Sequence, residues 1–220
     1  MVENYLLASH GNRILYFLQK YFSKRYKKHI YNGSILLFKI GRKNTSVEMV
    51  FEGWECPSSF YQKDTFPEKT IPTKKLTSQP IYRRINLYII RHGLAEHNVR
   101  LHPGILLKRD TLLVKKGKEN LKYSIPHLPK RLKEVFSSPL LRTRETLFEI
   151  LKDTYPKIDS IVIIPKSSQV LFKKCKINVY PNLPDKKNII FPVKYKIDWD
   201  SVKPMKNMVD EIMTYLRIKK

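Results

Sequence analysis

Cysteine is nearly absent. The two present, Cys56 and Cys175, stand in no metal-ligand or redox spacing, so the chain offers neither a disulfide framework nor a zinc or dithiol motif, and its expected compartment is intracellular and reducing, the cytoplasm. No apolar run approaches the ~20 residues that a membrane span needs. With a mean hydropathy of -0.40, a spanning helix is excluded, and the apolar piece Tyr5 to Ala8 is too short for a signal peptide. Acidic residues are scarce, 19 against 43 Lys and Arg, giving a net charge of +24. Such a field draws phosphorylated ligands, nucleic acid or anionic membrane. An excess of Lys over Arg, with frequent Ile, Asn and Tyr, is also what an AT-rich coding sequence yields without selection for any ligand. Along the sequence no basic stripe is interleaved with stacking aromatics, and nucleic acid is kept as a partner class that is not favoured.

What is there suffices for a core: 220 residues, 42% hydrophobic and 11% aromatic, enough for one domain. Ile85, Leu87, Tyr88, Ile89 and Ile90 read as a short buried strand that runs straight into Arg91, His92 and Gly93. A strand end delivers such side chains into a cleft. A neutral imidazole is a good nucleophile near pH 7, a guanidinium grips phosphate oxygens in pairs, and glycine lets the backbone approach a ligand closely. A lone His in such a place would more often be a satisfied core residue.

Arg91-His92-Gly93, four residues, then Asn98 resembles the signature of the histidine phosphatase superfamily, the phosphoglycerate-mutase-like proteins. The resemblance implies that His92 is the nucleophile, becoming phosphohistidine, and that Arg91 and Asn98 hold phosphoryl oxygens. Glu134 to Thr146 contains Ser-Ser-Pro-Leu-x-Arg-x-x-x-Thr, the most specific of the matching elements. It makes Arg142 the phosphate clamp at the start of a helix, with Arg144 the competing choice. Thr111 to Lys122 resembles the family segment that opens the helix after the first loop, with Asn120 where Gln is usual.

Near the start, the apolar strand Tyr5 to Ala8 leads to Ser9, His10, Gly11 and Asn12, followed by a helical face at residues 14, 15, 18, 21 and 22. Asn32 and Gly33 then form a turn before two strands, 34–40 and 47–51. This succession resembles the second-histidine block of the same family, which there follows the Arg-His-Gly motif. The alternative is that His10 simply starts a helix. Read as the family block, it makes His10 catalytic and adds Asn12 to the phosphate-binding set, to which the first motif contributes Gly93.

The family places a catalytic Glu soon after the strand 160–165, but Gln169 stands there, and Gln cannot transfer a proton. Glu96 is a substitute acid or base, or else a solvated or capping carboxylate. Segment 53–84 reads as a polar linker and 172–202 as an irregular basic insertion. Met205, Met208, Val209, Ile212, Met213 and Leu216 fall on one face of a helix, as core rather than as a Met-rich partner site.

The expected fold is therefore α/β, a three-layer α/β/α sandwich with a mostly parallel sheet, phosphoglycerate-mutase-like and circularly permuted. One domain over 1–220 comprises the second-histidine segment 1–52, the linker and the segment 85–220. The competing account is a relic of tandem domains whose halves pair between chains in a homodimer. The expected function is phosphomonoester hydrolysis on a phosphorylated small molecule or protein, without metal or cofactor. A pseudophosphatase that only binds phosphorylated or other anionic partners is the alternative.

Overall fold

In the computed structural model, which describes residues 2–54, 69–99, 110–168, 171–173, 176–180, 196–198 and 207–219, one eight-stranded sheet organises the chain. Its strands are β1 (Val2–Ser9), β2 (Ile35–Ile40), β3 (Asn44–Phe51), β4 (Thr70–Pro72), β5 (Arg84–Arg91), β6 (Glu134–Ser137), β7 (Ile161–Ile163) and β9 (Asn178–Tyr180). They lie in the order β4-β3-β2-β5-β1-β6-β7-β9, while β8 (Leu171–Lys173) and β10 (Lys196–Asp198) pair separately. The four central strands, β5, β1, β6 and β7, are parallel. Pairs β5–β2, β2–β3, β3–β4 and β7–β9 are antiparallel. The sheet expected to be mostly parallel is thus parallel only at its centre. On the β2 side the reason is local, because the short turn between Ile40 and Asn44 cannot make the long crossover that parallel strands require.

Both faces of the central strands are covered, which is why their sequences read as continuous apolar runs rather than alternations. Tyr5 and Leu7 of β1 with Leu87 and Ile89 of β5 face one core, and Leu6 and Ala8 with Ile90 face the other. The first core is covered by α1 (Gly11–Tyr21) and α4 (Met208–Ile218). The second is covered by α3 (Leu141–Thr154), with Leu121 just after the short α2 (Lys115–Asn120). This is the expected α/β/α layering. In α1 the buried face is Arg13, Ile14, Phe17 and Leu18, which adds Phe17 and Arg13 to the predicted stripe. The predicted stripe of α4 is buried at Met208, Val209, Ile212 and Met213. The helix begins later than expected, after Asn207, whose side chain accepts hydrogen bonds from the Val209 and Asp210 amides.

Two expectations need correction. Part of the supposed linker is structured: β4 joins the sheet edge, and Ile71, Leu76 and Ile81 are buried in the first core. Three-residue strands carry too little periodicity to be seen in a sequence. For the same reason β8, β9 and β10 were invisible in the stretch expected to be irregular. Among the described residues no helix is long and apolar enough to cross a membrane.

Candidate active site

Three adjacent parallel strands end at one place. β5 delivers Arg91 and His92, β1 delivers Ser9 and His10, and β6 delivers Ser137 and Ser138, in the spatial order β5-β1-β6. The ladder continues one step past the strands, the His92 amide donating to Ser9 O at 3.0 Å and the Ser138 amide to Ala8 O at 3.0 Å. The carboxyl ends of parallel strands are where open α/β sheets bind ligands. His10 and His92, 82 positions apart, meet there with ring centroids 5.3 Å apart. His97 lies on the other side of His92, at 5.5 Å.

His92 is only 2% exposed. Its Nδ1 lies 2.8 Å from Gly93 O, and a carbonyl only accepts, so Nδ1 carries the proton and Nε2 the lone pair. His10 is fully buried, with Nε2 2.8 Å from Ser138 Oγ, while its Nδ1 has no hydrogen-bond partner among the described residues. Burial pushes the pKa values of both rings well below the usual histidine range, and Arg142 pushes in the same direction. Burial, with Arg142 and Arg91, holds His97 down to about 4. All three imidazoles are therefore neutral at pH 7. Arg142, 1% exposed, has Asp110 Oδ1 at a loose 3.9 Å. Arg91 donates to Ile30 O, and its Nη1 lies 3.1 Å from His29 Nε2. Two buried guanidiniums among neutral imidazoles, with Asp110 as a loose counter-charge to Arg142, give the site a positive balance that an anion would complement.

The surroundings hold this geometry. Asn32 Nδ2 donates to His92 O (2.9 Å) and Gly93 O (3.1 Å), and the Gly93 amide donates to Thr146 Oγ1 (3.0 Å). Asp110 accepts from the Leu141 amide at 2.8 Å, satisfying an otherwise orphan N–H at the start of α3. Gly11 is required for room: a Cβ there would sit 3.0 Å from Arg91 Cδ and 3.1 Å from Ile30 O.

Of the residues expected from the sequence, Arg91, His92, Gly93, His10 and Arg142 are brought together or directly flank one another. Asn98 closes its own turn, its Oδ1 accepting from the Ala95 amide at 3.2 Å. Asn12 and Glu96 are exposed. Gln169 lies outside the described residues, although Ser9 Oγ donates to Ser167 O at 2.7 Å, fixing residue 167 beside the end of β1. Arg144, the competing clamp, is buried as well, at 3% exposure. The sequence reading missed His97, Asn32, Thr146 and Ser138. Only Thr146 and Ser138 had a signal, as fixed letters of the element that carries Arg142.

Because the folded pKa values of His10, His92 and His97 lie below the unfolded value near 6.5, the unfolded chain takes up more protons as the medium is acidified. Their contribution is intact above about pH 6.5 and is lost as pH falls below it, with the His97 share fully lost only near pH 4. Melting temperature should fall between pH 7.5 and 5, and His97→Gln should flatten the fall. An unchanged pH profile in that variant would show that His97 is not held neutral.

The sequence model of the histidine phosphatase superfamily (branch 1) matches residues 87–161. None of the curated proteins and none of the solved structures compared matches the chain. The matched segment runs from β5 to the start of β7 and so contains Arg91, His92, Asn98, Arg142 and Thr146, whereas His10 comes from outside it. The α/β architecture agrees with a phosphoglycerate-mutase-like fold, and residues 87–161, about a third of the chain, are similar to the histidine phosphatase superfamily (branch 1).

Proposed function

We propose that the protein is a phosphomonoester hydrolase that works through phospho-His92. The observation that carries this reading is the tautomer of a buried His92, lone pair on Nε2, set against two buried guanidiniums. In the first step Nε2 attacks phosphorus, the P–O bond to the alcohol breaks with its electron pair going to the departing oxygen, and that oxygen takes a proton from solvent water. The positive charge that develops on the phosphorylated ring is shared through Nδ1–H with Gly93 O. In the second step water attacks the phosphorus, the P–N bond breaks, and inorganic phosphate departs with the imidazole restored. Arg91 and Arg142 stabilise the phosphoryl oxygens throughout, and His10, in its Nδ1–H tautomer, donates to one of them, giving its orphan nitrogen a partner. Gly93 gives the backbone close access, and Asn98 and Asn12 reach the phosphate only if their side chains turn from the positions described above. The substrate class is a phosphorylated small molecule or protein.

Hydrolysis is preferred over mutase chemistry because a mutase needs a well-placed acid, and Gln169 stands where the family has Glu. The same Gln favours the second reading, a pseudophosphatase that keeps the anion pocket and binds phosphorylated partners. Glu96 remains the acid or base candidate of the first loop. The order of motifs, second histidine first, is read as a circular permutation of one domain, with 53–84 bridging what are ordinarily the ends. In support, His10 and His92 meet within one chain, as a permuted domain requires and a swapped dimer does not.

The test is turnover on a panel of phosphomonoesters. Wild type should release phosphate from aryl esters faster than from alkyl esters, since the latter need a proton delivered to the leaving oxygen. Gln169→Glu should raise alkyl turnover by about 10²-fold or more, the usual worth of a placed acid, and aryl turnover far less. Equal gains on both would place the missing acid elsewhere, and no turnover on any ester would favour the binding protein.

A further inference from the structure

Antiparallel pairing of β2 with β5, Ile40 opposite Ile85, brings together two basic segments that are far apart in the sequence. The turn after β2 supplies Arg42 and Lys43, and the entry to β5 supplies Arg83 and Arg84. Between them lies a groove of about 610 Å³ whose lining includes Ile40, Ile81 and Ile85 and, among the described residues, no acidic side chain. Tyr82, also lining it, is 76% exposed. Arg83 pairs with Glu3 at 2.7 Å, but among the described residues Arg42, Lys43 and Arg84 have no carboxylate within ion-pair reach. The track extends further: Thr73 donates its amide to Lys43 O and its hydroxyl to Gly41 O, which sets the turn bearing exposed Lys74 and Lys75 against the same edge. The basic stripe with an aromatic that the linear sequence lacks is thus assembled by the fold. It lies at the opposite end of β5 from His92, roughly 23 Å away at ~3.3 Å per residue.

We propose that this groove binds single-stranded nucleic acid. Cations on two walls fit a phosphate backbone running between them, and an exposed phenol ring at the groove gives a base a stacking face. A concave groove suits a strand better than a flat anionic membrane. Phosphate charge and base faces are common to RNA and DNA, so the two should bind alike.

The experiment is fluorescence anisotropy of a labelled 12-nucleotide dT oligomer, and of its U counterpart, with the full chain over a range of salt. Arg42→Gln/Lys43→Gln/Arg84→Gln should weaken binding at least tenfold and make the log–log salt slope shallower by about 2, from ~0.7 per lost contact. Tyr82→Ala should weaken binding by about fivefold or more with the slope unchanged. Lys24→Gln/Arg25→Gln/Lys157→Gln removes the same charge from exposed positions elsewhere and should change affinity less than threefold, and His92→Ala should bind like wild type. All the groove positions substituted are exposed, and Arg42→Gln alone, with a smaller loss expected, covers a triple variant that does not fold. The proposal is overturned if the control triple weakens binding as much as the groove triple, or if Tyr82→Ala changes nothing. It is equally overturned if phosphatidylserine vesicles, and not the oligomers, bind in a groove-dependent way.

Discussion

Quenched during turnover of a ³²P-labelled phosphomonoester, the wild-type protein should carry label that acid removes and base does not, the stability pattern of a phosphoramidate, and His92→Ala should carry none. Loss of steady-state turnover should exceed about 10⁴-fold, because removing a covalent nucleophile forfeits the whole two-step route. His10→Ala should behave differently. It deletes one donor to the transferring group and leaves the nucleophile in place, so transfer should slow by about 10²–10³-fold, as for loss of one preorganised donor, while phosphoenzyme remains detectable. The contrast tests the roles separately. If His92→Ala labels like wild type, the nucleophile lies elsewhere. Should His10→Ala turn over normally, the pairing of the two imidazoles is structural only, and the second-histidine reading of residues 9–12 has to be withdrawn.

The second large effect is expected far from the chemistry in kind, though adjacent in space. A methyl group added at Gly117 would sit 2.1 Å from Leu94 O and 2.9 Å from Leu94 N, both backbone atoms that no rotamer change can move. Gly117→Ala must therefore push α2 away from the loop that follows His92. Overpacking of this kind costs about 1–3 kcal/mol or more, which for a chain of this size is a drop of roughly 2–12 °C in melting temperature. Because Gly93 abuts the same contact, its ideal Cβ position lying 3.0 Å from Gly117 O, turnover should fall together with stability. A variant that melts and turns over like wild type would show that α2 yields freely and does not set the His92 loop.

The sequence made the central strands legible because burial on both faces leaves an uninterrupted apolar signature, as in Ile85 to Ile90. It made His92 and Arg142 legible because motif letters cluster where chemistry is done. It could not show the antiparallel edges, since β4 is three residues long and joins β3 through Thr45 and Ile71. Nor could it show His97, whose place beside His92 depends on a 3-10 turn at Glu96–Asn98 and a Thr111 Oγ1 contact at 2.8 Å. Asn32 read as an ordinary turn former, and only the fold reveals that its amide holds the carbonyls of His92 and Gly93. The basic groove was hidden for a related reason, because its two walls are contiguous in space and 40 positions apart in the chain, as at Lys43 and Arg83.

β1 lies between β5 and β6, and this sets a timetable for synthesis. β1 is made before both of its neighbours and can gain neither until much later: its contacts with β5 span 82 positions, and the His10–Ser138 contact spans 128. At ~5–20 residues per second, His10 waits roughly 6–26 s for Ser138 to be made. During that interval Leu6, Leu7 and Ala8 are an unpaired apolar strand, open to chaperones or to another nascent chain. Closing such long loops is also what makes topologies of this kind slow to fold. The pocket thus comes together only long after the first of its histidines has been made.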